Sequence, residues 1–248
     1  MQARATVDAP AGSPLLRALH GAAYTLGCSE RAMIEKALGG SDAKVQQRTR
    51  EWARGFGKRM GITVRATGLD AIDWSRPCIV MANHQSYLDV FALYRTLPNA
   101  FGFVAKKALF AIPAFGGVMR GVGCIPVDRG NRSEAIASMK EAASHVRGGK
   151  TICVFPEGTR GPGDVIQPFK KGSFYLAQFA GVPVVPIGIT GTAALMPRSN
   201  RAIYPGEVEV RAGEPIAAIA EDDAAARKEL ARRVRTELSR LTGLPLAG

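Results

Sequence analysis

Apolar residues recur along the chain in two different periods, and the change between them falls near residue 61. Before it, the apolar positions lie on helical stripes. Leu15, Leu16, Leu19, Ala22, Ala23 and Leu26 share one face of a helix predicted over Pro14–Leu26 and broken near Gly27. Ser29 restarts a second helix, carrying Met33, Ile34, Ala37 and Leu38, that stops at Gly39-Gly40. A third, Ser41–Met60, is rich in Arg and Lys. From Ile62 onward, short apolar runs alternate with helical patterns. Strands are predicted at Ile62–Ala66, Cys78–Ala82, Phe101–Ala105, Cys124–Val127, Thr151–Phe155, Val184–Ile189 and Val208–Ala212. Helices are predicted at Ser86–Arg95, within Leu109–Arg120, and at Arg132–Arg147, Ser173–Ala180 and Asp222–Leu241. This alternation predicts an α/β fold: a mostly parallel central sheet flanked by helices, with an N-terminal helical addition. Residues 1–60 are taken as the helical segment and 61–248 as the α/β domain. The N-terminal helices either pack on that domain or lie on a membrane, as basic amphipathic helices can.

Composition narrows the partners. A net charge of +12 favours nucleic acid, anionic lipid surfaces or phosphorylated substrates. Four single cysteines without a CxxC pair, and only three histidines, predict buried reduced thiols and no zinc site. The same single cysteines predict a cytosolic-facing protein, and Asp8 and Arg17 interrupt any signal-peptide core. The longest uncharged stretch, Gly172–Pro197, contains Pro183 and Pro186, which predicts a buried strand with loops rather than a membrane span.

The candidate chemistry starts at Met81–Asp89, MANHQSYLD. The strand Cys78–Ala82 ends on Asn83 and His84. Ser86 and Asp89 then fit a capping box. His84 therefore sits in a strand-to-helix turn with Asp89 in the helix's first turn. One carboxylate can orient one imidazole nitrogen and leave the other to take a proton, the base half of a hydrolase triad without its nucleophile. The plainer alternative is that Asp89 only caps the helix and His84 only closes the strand.

A second polar edge, FPEGTRG at Phe155–Gly161, follows another strand. It puts Glu157, Gly158, Thr159 and Arg160 in the usual ligand crevice at the carboxyl ends of parallel strands. Arg160 offers a planar fork matched to phosphate. Arg129 after Val127, and Lys106 and Lys107 after Phe101–Ala105, deliver cations in the same way. Nucleotide-like motifs fail on spacing. Gly149-Lys150-Thr151 has Ser144 where a P-loop needs glycine, and Gly121-Val122-Gly123 meets Pro126 at its third glycine. There is no GxSxG elbow. Basic residues are not interleaved with aromatic ones, as nucleic-acid stacking requires.

NHQSYLD, GCIPVDR (Gly123–Arg129), FPEGTR and VVPI (Val184–Ile187) resemble, in order, the four motif blocks of the glycerolipid acyltransferases. The chain looks closest to the 1-acylglycerol-3-phosphate O-acyltransferases over roughly Ile62–Ala212. The resemblance implies an enzyme of phospholipid biosynthesis that moves a fatty acyl group from an acyl thioester to the free hydroxyl of lysophosphatidic acid. His84 would be the general base and Asp89 its orienter, with no acyl-enzyme. Arg129, Glu157, Gly158, Thr159 and Arg160 would form the acceptor site, with Lys106 helping to hold the phosphate. Backbone N–H groups near Ser86 are candidate oxyanion donors. The implied donor is acyl-CoA or acyl carrier protein, with no metal or bound cofactor. The implied location is peripheral, on an anionic membrane at its cytoplasmic face, and no nucleic-acid partner is implied. Pro126 departs from the family pattern and leaves another lysolipid, such as lyso-ornithine lipid, as an alternative acceptor. A non-catalytic basic module that binds membrane or nucleic acid is the alternative of a different class.

Overall fold

The computed structural model describes residues 12–128, 130–200, 202–218 and 223–248. The candidates Arg129 and Asp222 lie outside them.

The first helix, α1 (Pro14–Ala37), opens on a Ser13 cap whose side chain accepts the Leu16 N–H, with proline in its first turn. It runs through Gly27 unbroken, which corrects the expected break there. An interior glycine costs only about 1 kcal/mol, and Ser29 does not cap a new helix. Its hydroxyl donates back to the Thr25 carbonyl at 2.8 Å within the continuous helix. The second helix, α2 (Asp42–Met60), packs against the first. Gly21 permits this approach, since a Cβ there would stand 3.0 Å from the Phe56 ring. The Arg48 fork holds Glu35 across the pair, with both side chains 23% exposed.

Seven strands follow: β1 (Ile62–Thr67), β2 (Ile79–Ala82), β3 (Phe101–Lys106), β4 (Ile125–Val127), β5 (Thr151–Val154), β6 (Val184–Thr190) and β7 (Gly206–Ala212). They form one sheet in the order β1-β7-β6-β2-β5-β3-β4. Only β6 and β7 pair antiparallel, so β2, β3, β4, β5 and β6 all end at one edge of the sheet. Pro126 sits in the end strand β4, where its missing N–H costs no ladder bond on the open side. The connecting helices are α3 (Leu88–Thr96), α4 (Phe115–Gly121), α5 (Arg132–Arg147), α6 (Gly172–Ala180), the short α7 (Thr192–Leu195) and α8 (Ala224–Thr242).

Alternation along β2 divides the core. Val80 and Ala82 pack with α2 and α3 residues such as Phe56, Met60, Leu88 and Phe91. Ile79 and Met81 pack with α5, α6 and α8 residues such as Val146, Leu176 and Val234. A strand buried on both faces explains why β2 reads as a continuous apolar run. It also leaves the chain's first polar residues beyond β2 at the shared carboxyl edge.

Candidate active site

The register of β2 against β5 decides what meets at that edge. Ile79 pairs with Ile152 and Met81 with Val154, a constant offset that brings His84 level with Glu157 beyond the strand ends. The Glu157 carboxylate accepts the His84 N–H at 2.6 Å through Oε1 and the Gln167 N–H at 3.0 Å through Oε2. The Gly161 N–H donates to the His84 carbonyl at 2.7 Å. The main chain of His84 is thus held on both sides by the FPEGTRG loop. Its ring lies flat on Phe155, 4.0 Å between centroids and 14° from parallel.

Asp89 does two jobs with one buried oxygen. Oδ2 lies 2.8 Å from His84 Nδ1 and accepts the Gln85 and Ser86 N–H groups at 2.7 and 2.9 Å. Oδ1 accepts the Thr192 hydroxyl at 2.6 Å. Capping and imidazole orientation, weighed as alternatives from the sequence, coexist. The helix begins at Leu88, two residues later than expected, because Ser86 stays in the turn and accepts the Leu88 N–H through its hydroxyl at 3.3 Å. The imidazole is 16% exposed, and among the described residues nothing bonds its Nε2. Such an arrangement can hold the Nδ1–H tautomer and accept a proton at Nε2.

One expectation is narrowed here. Four of the backbone N–H groups near Ser86 are already engaged within the turn, and that of Tyr87 has no partner among the described residues. Those of Gln85 and Ser86 go to Asp89, that of Leu88 to the Ser86 hydroxyl, and that of Asp89 to the Ser86 carbonyl.

The predicted binding residues divide. Glu157 is turned inward and buried, its two oxygens engaged by backbone, rather than facing a ligand crevice. Gly158 turns with φ +74, and a Cβ there would meet Lys170 at 2.9 Å. Thr159 is exposed. The Arg160 guanidinium lies over the Tyr87 ring, 3.8 Å from its centroid, so it borders the His84 turn. Lys106, exposed at the end of β3, lies two strands from β2, about 10 Å at ordinary strand spacing. Its neighbour Lys107 pairs with Glu134 at 3.1 Å.

Burial, the largest influence, pushes the Glu157 carboxyl from 4.5 up to about 7. The bonds from His84 and Gln167 oppose it, as does Arg235, while Asp89 adds to it. A carboxyl raised in the folded state holds its proton more tightly there. Its contribution to stability is therefore complete below pH 4.5 and lost as the pH rises toward 7. The full loss is roughly 3 kcal/mol. Glu157→Gln removes this titration. Urea unfolding at pH 4.5 and pH 7 should show wild type losing that stability relative to the variant; a difference independent of pH would contradict the buried carboxyl.

Residues 63–190, which contain both polar edges, match the family model described as Acyltransferase. The chain belongs to the acyltransferase family. Among similar proteins is the chloroplastic 1-acyl-sn-glycerol-3-phosphate acyltransferase of Brassica napus, 38% identical over 56% of this chain and 41% of that protein. Another is the Saccharomyces cerevisiae 1-acyl-sn-glycerol-3-phosphate acyltransferase, 36% identical over 63% of this chain and 52% of that protein. The chain spans about half the length of these relatives. A solved structure from Thermotoga maritima, titled a 1-acyl-sn-glycerophosphate (LPA) acyltransferase, superposes with a TM-score of 0.73 at 27% identity. The superposition covers 92% of this chain and 95% of that one.

Within this acyltransferase fold, four contributors to the site escaped the sequence reading of roles. Asn83 ties the β2 end to β6 by exchanging two bonds with Ile189, at 2.8 and 2.7 Å. Phe155 and Tyr87 supply the surfaces under His84 and Arg160. Thr192 is the fourth, and its position just after the VVPI strand was the one available signal.

Proposed function

We propose that the chain transfers a fatty acyl group from acyl-CoA or acyl carrier protein to the free hydroxyl of lysophosphatidic acid, in phospholipid biosynthesis. The observation that carries this reading is the His84 imidazole: Nδ1 on a buried carboxylate, Nε2 unpartnered, and no serine elbow in the chain. The names of the relatives, all specifying 1-acyl-sn-glycerol-3-phosphate, support the choice of acceptor. In the proposed reaction the acceptor hydroxyl gives its proton to Nε2 as its oxygen attacks the thioester carbonyl. The tetrahedral species collapses, the C–S bond breaks, and the imidazolium returns the proton to the leaving thiolate. Asp89 stabilises the imidazolium. Arg160, Lys106 and Arg129 provide positive charge for the acceptor phosphate, with Gly158 and Thr159 lining its approach. Glu157 belongs to the same site as the brace of the His84 turn. As written, the reaction needs no metal and no bound cofactor.

Arg160 distinguishes lysophosphatidic acid from a phosphate-free lysolipid. Arg160→Lys keeps the charge but loses the fork and the stacking on Tyr87. The expected result is a KM for lysophosphatidic acid raised about five- to tenfold, equivalent to about 1 kcal/mol, with the thioester KM little changed. A raised thioester KM with the acceptor spared would reverse the two substrate sites.

The reading includes attachment to the surface of an anionic membrane, at its cytoplasmic face, with residues 1–60 facing the lipid and 61–248 carrying the chemistry. Support comes from exposed Leu15, Leu16, Leu19, Leu26 and Ile34 on α1, Leu38 just after it and Ile112 beyond β3, together with the net charge of +12. No helix among the described residues is long and apolar enough to cross a membrane. Binding to anionic vesicles should weaken between 0.1 and 1 M salt, where the screening length falls from about 10 to about 3 Å. Binding that ignores salt and lipid charge would contradict the electrostatic part of the attachment.

A further inference from the structure

We propose that Arg235, in α8, is a positioning residue for His84, acting through Ile166, Gln167 and Glu157. The inference rests on the acyl-transfer reading only for its kinetic consequence.

The connection is a continuous series of bonds. Arg235 Nη2 donates to the Ile166 carbonyl at 3.3 Å and to the Ala247 carbonyl. Ile166 is fully buried and forms an isolated parallel bridge with Leu246. Its N–H donates to the Pro245 carbonyl at 2.9 Å, and its carbonyl accepts the Ala247 N–H at 3.0 Å. The next residue, Gln167, donates its N–H to Glu157, and Glu157 accepts the His84 N–H. Residues 245–247 and the guanidinium together fix Ile166. Ile166 in turn fixes the donor that holds one oxygen of Glu157, whose other oxygen holds the His84 turn.

Charge runs along the same route. Arg235 Nε is buried without a partner, and among the described residues no carboxylate pairs with the guanidinium. Glu157 is the buried carboxyl that feels it, and Arg235 favours its ionised form. The other groups acting on Glu157 are His84 and Asp89 from the β2 turn, and the Lys170 stem packs against the neighbouring Gly158. Ionised, Glu157 can accept both N–H bonds. Protonated, it carries a hydroxyl that no longer accepts on one side, and one of the two tethers is lost. Removing the Arg235 charge should therefore loosen His84 at neutral pH without touching any group that meets substrate.

The test uses the full chain with labelled glutamate. The Glu157 carboxyl is followed by NMR, its signal assigned with Glu157→Gln, and amide exchange is read at His84 and Gln167. In Arg235→Met the Glu157 midpoint should rise by roughly half a pH unit or more. Exchange at both amides at pH 7 should quicken, up to a ceiling of about fivefold, the worth of one hydrogen bond. Arg235→Lys, which keeps the charge, should restore the midpoint. An unchanged midpoint and unchanged exchange in Arg235→Met would overturn the proposal. If that variant does not fold, Ala247→Pro decides. It deletes the N–H that holds the Ile166 carbonyl, and Gln167 exchange as slow as in wild type would overturn the coupling. The kinetic arm separates the two readings. In an active enzyme, Arg235→Met should move the acid limb of kcat to higher pH with KM unchanged, which loss of packing alone would not do. If wild type transfers no acyl group while the NMR changes appear, the acyl-transfer reading fails and the coupling stands.

Discussion

Replacing His84 by alanine is expected to lower kcat by about 10²- to 10⁴-fold, the contribution of a positioned general base, while the fold persists. The ring is partly exposed, and its removal leaves Glu157 and Gly161 bonded to the same main-chain atoms. What is lost is the stacking on Phe155 and one of the three bonds to Asp89 Oδ2. A folded His84→Ala protein that turns over at the wild-type rate would end the general-base assignment.

Asp89→Asn separates orientation from capping more sharply than alanine does. The amide oxygen can replace Oδ2 and still accept from His84 Nδ1–H and from the N–H groups of Gln85 and Ser86. The amide nitrogen then faces Thr192, whose hydroxyl can accept as well as donate. Every cap survives, and only the negative charge beside the imidazolium is lost. A hydrogen bond to a charged partner is worth about 1.5–3 kcal/mol. The rate should therefore fall by about 10- to 100-fold with the melting temperature nearly unchanged. If Asp89 served the helix alone, the rate would stay at the wild-type level. Thermal melts and steady-state kinetics on the same preparation distinguish the two.

The parts legible in the sequence were those governed by local period and by short spacing. Apolar positions marked the strands within a residue or two at most ends: β2, β5 and β6 are buried along nearly their whole length and read as continuous apolar runs, while β7 alternates buried Val208 and Val210 with polar residues. His84 and Asp89 were readable as a pair because a tight turn joins them. The inward turn of Glu157 was not legible. It depends on the β2–β5 register, which only pairing sets, and the same residue type at a strand end serves equally well as ligand or brace. Thr192 is 103 residues from the carboxylate it bonds, so no local spacing could assign it. The continuous α1 was missed because glycine and serine are helix punctuation by propensity. Packing against α2 overrides a cost of about 1 kcal/mol.

The central claim is that this site moves an acyl group from a thioester to lysophosphatidic acid by direct attack. The most direct measurement mixes the purified chain with an isotopically labelled acyl thioester, as acyl-CoA or acyl carrier protein, with and without lysophosphatidic acid. Lipid and protein are then analysed by mass spectrometry. The predicted result is labelled phosphatidic acid formed only when the acceptor is present, released thiol in equal amount, and no acyl group on the protein at any time. Transfer to no acceptor with either donor would contradict the account, and so would a covalent acyl-enzyme that forms without acceptor and is then consumed when lysophosphatidic acid is added.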